Sequence, residues 1–186
     1  MRRSFILRAL PLVLALLAPG SRAAGQGLVS LGVAGGLSMP FGDLGDVANP
    51  GWRALGTLAI GVPLVPIGVR LDAAYDRFGL EATLPGAAGS ATGARQLFSG
   101  TANVTFSLPV MLPLLTPYAI AGLGPYHASC TGDAKCDGET RVGYNGGVGI
   151  RFGALRIHGF AEMRYHYVPL PGGSEQYVPV TVGLLF

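Results

Sequence analysis

Between Arg95 and Asp133 the chain carries no charged residue, and Val104 to Gly124 within it is apolar enough to suggest a membrane helix. Pro109, Pro113 and Pro117 recur there every four residues. Each would remove an intrahelical hydrogen bond and clash with the preceding turn, at about 3 kcal/mol apiece. Lipid offers no water to replace those bonds. The helix fails, and strands remain.

Period two recurs along the chain. In residues 96–108 the phase Phe98, Gly100, Ala102, Val104, Phe106, Leu108 alternates with Leu97, Ser99, Thr101, Asn103, Thr105, Ser107. In 141–152, Val142, Tyr144, Gly146, Val148, Ile150 and Phe152 alternate with Arg141, Gly143, Asn145, Gly147, Gly149 and Arg151. In 155–167 the apolar phase from Leu155 to Tyr167 alternates with Arg156, His158, Phe160, Glu162, Arg164 and His166. Such segments are strands with one apolar and one polar face. The pattern predicts eight of them, over about 27–39, 52–62, 67–78, 96–108, 116–127, 141–152, 155–167 and 177–186. Short connections (63–66, 109–115, 153–154) alternate with longer ones (40–51, 79–95, 128–140, 168–176). This is the pattern of bacterial membrane barrels, and it would put both termini in the periplasm.

Aromatic pairs eight residues apart point the same way: Phe98 with Phe106, Tyr118 with Tyr126, Tyr144 with Phe152. Eight residues of tilted strand rise about 20 Å, close to the apolar band of such barrels. All six are therefore assigned to the lipid side, and that phase turns His127 inward. A soluble, lipocalin-like barrel would bury the apolar phase instead and has no reason for this spacing.

The N-terminus reads as a secretory signal. Arg2 and Arg3 precede an apolar run from Phe5 to Ala18, and Ser21-Arg22-Ala23 offers a cleavage site, with cutting after any of residues 23 to 25 acceptable. The run is too short to span a bilayer. The division is thus a signal peptide over 1–25 and a barrel domain over 26–186. The chain has 13 Lys+Arg and 10 Asp+Glu, but four arginines leave with the signal, so nine basic residues face ten acidic ones. The basic balance of the full chain therefore implies no nucleic-acid partner. Charged residues are 12% of the chain, about half the usual share, too few to cover a globular surface. Cys130 and Cys136 in an exported chain are expected to form a disulfide. A zinc site is excluded by the lack of further ligands at suitable spacing.

The chain ends Val178-Pro179-Val180-Thr181-Val182-Gly183-Leu184-Leu185-Phe186. A terminal Phe preceded by apolar residues at every second position (Val178, Val180, Val182, Leu184) resembles the assembly signal of outer-membrane β-barrel proteins. Residues 35–43 and 116–124 are likewise similar to small barrel-domain proteins of the OmpA/OmpX type. The resemblance covers the mature chain. It implies an all-β, eight-stranded, up-and-down transmembrane barrel in the bacterial outer membrane, with lipid and the barrel-assembly machinery as partners.

The inward phase gathers Arg53, Arg70, Arg151, Arg156 and Arg164 with Asp72, Asp76 and Glu162. An eight-stranded barrel is just wide enough for side chains to fill, so these charges are expected to pair into a plug. A turn at 63–66 sets Arg53 opposite Asp76. A hairpin around Gly153-Ala154 sets Arg151 opposite Arg156, two like charges that Asp72 is expected to bridge. His127-Ala128-Ser129 has the H-x-S spacing that resembles outer-membrane lipid A deacylases, but Cys130 departs from that pattern. The loop acids Asp43, Asp46, Asp133, Asp137 and Glu139 read as solvated carboxylates, without a calcium ligand series. No catalytic, cofactor or metal site is expected. The sequence thus points to a non-enzymatic scaffold displaying four loops for envelope integrity or surface contact; the alternatives are a narrow solute channel and a lipid-modifying enzyme.

Deleting Phe186 should lower the amount of barrel recovered in the outer membrane, because the terminal aromatic is what the assembly signal requires. Equal yields from the full and shortened chains would contradict the resemblance.

Overall fold

The computed structural model describes residues 29–61, 65–83, 90–109, 115–132, 138–154 and 157–186. The expected signal segment lies outside them. Eight strands follow one another: β1 (Val29–Phe41), β2 (Gly51–Gly61), β3 (Ile67–Thr83), β4 (Ser90–Ser107), β5 (Leu115–Gly132), β6 (Glu139–Ala154), β7 (Ile157–Leu170) and β8 (Gly173–Leu185). A single helical turn, α1 (Gly42–Gly45), follows β1. Each strand pairs antiparallel with the next, and β8 returns to β1, closing an up-and-down barrel. Closure reaches the last residue: Leu31 and Phe186 exchange backbone hydrogen bonds of 2.9 and 2.8 Å. No sheet edge is left to lipid.

The alternation sorts residues between two environments. Val33, Leu71, Val104, Leu123, Val148, Met163 and Val182 are exposed on the outer wall, so it is apolar around the circumference and a bilayer is the solvent that suits it. Arg53, Asp72, Asn103, Asn145, Glu162 and Thr181 are buried inside. A soluble barrel would have the two sets exchanged. At the end away from the termini, hereafter the loop end, Trp52 lies against Tyr75 with ring centroids 5.3 Å apart, and Tyr144 stacks on Tyr167 at 5.1 Å. Phe98 and Phe106, and Tyr144 and Phe152, face outward.

Three expectations need correction. Tyr118 and Tyr126 point into the lumen, each 1% exposed, and His127 faces outward. The reason lies on the neighbouring strand. Tyr118 stands opposite Gly149, and a Cβ on Gly149 would sit 2.5 Å from the Tyr118 ring. Gly143 likewise has the Tyr126 ring 2.9 Å from where its Cβ would be. The glycines of the inner β6 face make room for tyrosines from β5.

The β6–β7 hairpin is also offset by four residues. Ala154 pairs with Ile157, and Arg151 stands opposite Phe160 rather than Arg156. Finally, the strands run further at the loop end. The β3–β4 ladder continues to Thr83 opposite Ser90, and β7–β8 to Leu170 opposite Gly173, leaving Pro171-Gly172 as the turn, with Gly172 at φ +88°. Beyond the bilayer both faces of the wall meet water. The apolar–polar alternation then vanishes from the sequence although the backbone ladder persists.

Gly149→Val should destabilise the barrel by about 1–3 kcal/mol, the usual cost of overpacking. Adding Tyr118→Ala should restore part of the loss, as urea titration in detergent can check.

The packed lumen as the candidate functional site

At the loop end, α1 and the residues after it fold over the mouth. Leu44 and Ala48 are buried against Phe78, Leu97, Tyr126, Ala128, Val168 and Tyr177. Asp43 Oδ2 accepts a hydrogen bond of 2.9 Å from the Ser174 backbone N–H, which fastens this cap to β8. Asp43 is thus a structural acceptor. At the same level Arg95 pairs with Glu175, and Arg95 Nη1 lies 3.4 Å from Cys130 Sγ. Cys136, the expected partner of Cys130, lies outside the described residues. Arg141 pairs with Glu139 on the partly exposed rim.

One layer deeper, β2 and β3 stand in the register that sets Arg53 opposite Asp76. Arg53 Nη1 donates to Asp76 Oδ2 at 2.7 Å, and Ser38 Oγ donates to Asp76 Oδ1 at 2.5 Å. His166 stacks on Tyr177 with centroids 4.7 Å apart, and its Nδ1 lies 2.8 Å from Tyr126 Oη.

The middle of the lumen holds four charges. Arg70 Nε lies 3.0 Å from Asp72 Oδ1, and Arg70 Nη2 lies 2.8 Å from Glu162 Oε1. Arg164 reaches the same two acids, through Nη2 to Asp72 Oδ2 at 2.7 Å and through Nε to Glu162 Oε1 at 2.8 Å. Two cations and two anions cancel, and all four side chains are at most 4% exposed. Neutral donors complete the shell: Tyr118 Oη to Glu162 Oε2 at 2.8 Å, Asn103 Nδ2 to Asp72 Oδ2 at 3.0 Å, and Asn145 Nδ2 to Asn103 Oδ1 at 3.0 Å. Buried charges are stable only when so paired and bonded.

The expected bridge from Asp72 to Arg151 is not formed: among the described residues Asp72 pairs with Arg70 and Arg164. Arg156 lies outside the described residues. Arg151 Nη2 instead lies 3.4 Å from Thr105 Oγ1, and its guanidinium carbon sits 4.7 Å over the Tyr118 ring. Beside the quartet Leu55, Ala74, Phe160 and Leu185 form a second apolar cluster, with the Arg70 guanidinium 5.4 Å from the Phe160 centroid.

His127 Nδ1 lies 2.9 Å from Thr140 Oγ1 on the outer face. Among the described residues no carboxylate is hydrogen-bonded to it; Asp133 and Asp137 lie outside them. Of the assembly-signal residues, Val180, Val182, Leu184 and Phe186 are exposed on the outer wall and Val178 is half-buried. Among the described residues no group of His, Cys, Asp and Glu has metal-binding geometry.

The sequence reading overlooked Ser38, Asn103, Asn145, Tyr118, Arg95 and Glu175 as network members. Asn103 and Asn145 do fall on the polar phases read from their strands, so their side of the wall was available; their partners, on strands far apart in sequence, were not.

No family model matches the sequence, and neither does any curated protein. Among solved structures the chain is similar in fold to Neisserial surface protein A, with a TM-score of 0.63 at 15% identity over 84% of this chain and 95% of that one. It is also similar to the outer membrane protein OprG from Pseudomonas aeruginosa (TM-score 0.53, 13% identity, 86% and 96% covered). A third is a major outer membrane protein from Thermus thermophilus (TM-score 0.51, 12% identity, 86% and 99% covered).

Glu162→Ala leaves two buried guanidiniums sharing one acid and should cost about 3–5 kcal/mol of stability. Arg141→Ala breaks an exposed pair and should change stability by less than about 1 kcal/mol. Unfolding midpoints in detergent would separate the two.

Proposed function

We propose that this chain is a non-enzymatic barrel of the bacterial outer membrane, a rigid scaffold presenting its loop end at the cell surface for envelope integrity or surface contact. The observation that carries this reading is the lumen itself. Among the described residues an apolar cap, an Arg–Asp pair, a neutral quartet and a second apolar cluster fill the lumen with packed side chains, which supports a structural barrel over a solute pathway. The proposed orientation has both termini in the periplasm, in keeping with a signal peptide and with the longer connections at the opposite end. Lipid and the barrel-assembly machinery are its proposed partners, and nucleic acid is not. Two of the three fold neighbours are outer membrane proteins by name and the third is a surface protein, which supports the setting.

An enzyme acting on lipid would need His127 and Ser129 on the outer face. Among the described residues His127 Nδ1 is engaged by the Thr140 hydroxyl, a neutral group in the place where a triad carries its acid.

Purified protein in planar bilayers should give no resolved conductance steps; discrete ion currents would favour the channel. Cells expressing His127→Ala/Ser129→Ala should have the same lipid A and phospholipid acyl profiles by mass spectrometry as cells with the unaltered chain. A lost deacylated species would favour the enzyme.

A further inference from the structure

Toward the terminal end, beyond the quartet, the lumen opens into a cavity of about 270 Å³. Arg70, Arg151, His158, Ser30, Thr105 and Ser107 supply its polar lining. Its rim carries Ile60, Val65 and Ile67 at the β2–β3 turn. Among the described residues no carboxylate lines it.

The charge balance of the lumen makes this lining unusual. Arg53 is neutralised by Asp76, and Arg70 with Arg164 by Asp72 with Glu162. Arg151 is left over: among the described residues no acid lies within ion-pair distance of it. Its contacts are a 3.4 Å hydrogen bond to Thr105 Oγ1 and the Tyr118 ring. A half-buried guanidinium with so little compensation is poorly solvated, and its planar fork of donors matches an oxyanion in two-point contact. Three hydroxyls and a histidine on the same lining add donors of the right kind. Arg70 also lines the cavity, but its Nε and Nη2 are engaged by Asp72 and Glu162, so Arg151 is the principal cation facing a ligand there. A cation would meet Arg70 and Arg151 and, among the described lining residues, no carboxylate.

We propose that this cavity is an oxyanion site that takes a phosphate group, with Arg151 as the principal ligand and Thr105, Ser107 and Ser30 as hydroxyl donors. The phosphate can belong to a soluble ion or to a phospholipid headgroup whose chains lie along the apolar rim. The site rests on the lumen geometry and does not depend on which way the barrel faces.

The test uses the folded barrel in dodecyl maltoside, a phosphate-free detergent, with NMR detection of the Arg151 Nε–H and the Thr105 amide. Inorganic phosphate should shift both signals saturably. Arg151→Gln should weaken binding by about tenfold or more at the Thr105 probe, since a hydrogen bond to a charged group contributes about 1.5–3 kcal/mol. Arg151→Lys should keep part of the affinity. Arg141→Gln, on the far rim, should leave it unchanged. Thr105→Val, detected through Arg151, covers the case in which an Arg151 variant fails to fold. A second titration with dihexanoyl phosphatidylglycerol tells the sources apart. Tighter binding than inorganic phosphate assigns the site to a headgroup, and equal binding assigns it to a free oxyanion; either supports the proposal. Non-saturating shifts with both probes, or an affinity that Arg151→Gln and Thr105→Val leave intact, would overturn it.

Discussion

The pairing of Arg70 and Arg164 with Asp72 and Glu162 is the interaction on which the rest of the lumen depends. These four residues come from β3 and β7, strands on different parts of the wall, so their attraction acts across the barrel rather than along one hairpin. Water cannot solvate them: their side chains are almost fully enclosed. The cost of enclosing them is offset by mutual contact, by the donors of Tyr118 and Asn103, and by Asn145 Oδ1, which accepts from Arg164. Exchange of one acid for an apolar residue removes a partner from two guanidiniums at once.

Such side chains need space that a uniform wall would not leave. A Cβ on Gly122 would sit 2.1 Å from Asn103 Oδ1, and one on Gly147 would sit 2.7 Å from the Arg164 Cα and 2.1 Å from the Met163 carbonyl oxygen. Together with Gly149 under Tyr118, these positions hollow the β5–β6 side of the lumen so that the large residues of β3, β4, β5 and β7 can meet. The abundance of glycine and the size of the lumen side chains are two aspects of one packing solution.

The architecture was legible because lipid outside and a packed lumen inside impose opposite chemistry on alternate residues. Ser99, Thr101 and Asn103 inside against Phe98 and Val104 outside show this clearly. Where both phases are small or apolar, as from Pro117 to Tyr126, size rather than polarity decides which way the strand faces. The relevant sizes are on β6, so β5 alone could not reveal it. The β2–β3 register was legible because hydrophobic and charged residues match across a short prolyl turn. At β6–β7 the Gly-rich inner face tolerates several registers by composition alone, and the four-residue offset follows from closing the whole barrel. The quartet depended on contacts between residues 92 apart in sequence, beyond the reach of any local pattern.

The extension of the ladders past the lipid belt is uneven. β3 to β6 contain 16 to 18 residues, β1 and β2 only 13 and 11. From Arg77, where β2 ends its pairing, β3 climbs six more residues, about 15 Å of height at the tilt of such strands. The rim is therefore a parapet on one flank and a low sill, roofed by α1, on the other. Within the bilayer the barrel looks alike from all sides, but above it the molecule has a front and a back. A second macromolecule arriving in the plane of the membrane would meet sheet backbone from one direction and the α1 cap from the other, so its azimuth about the barrel axis becomes part of recognition.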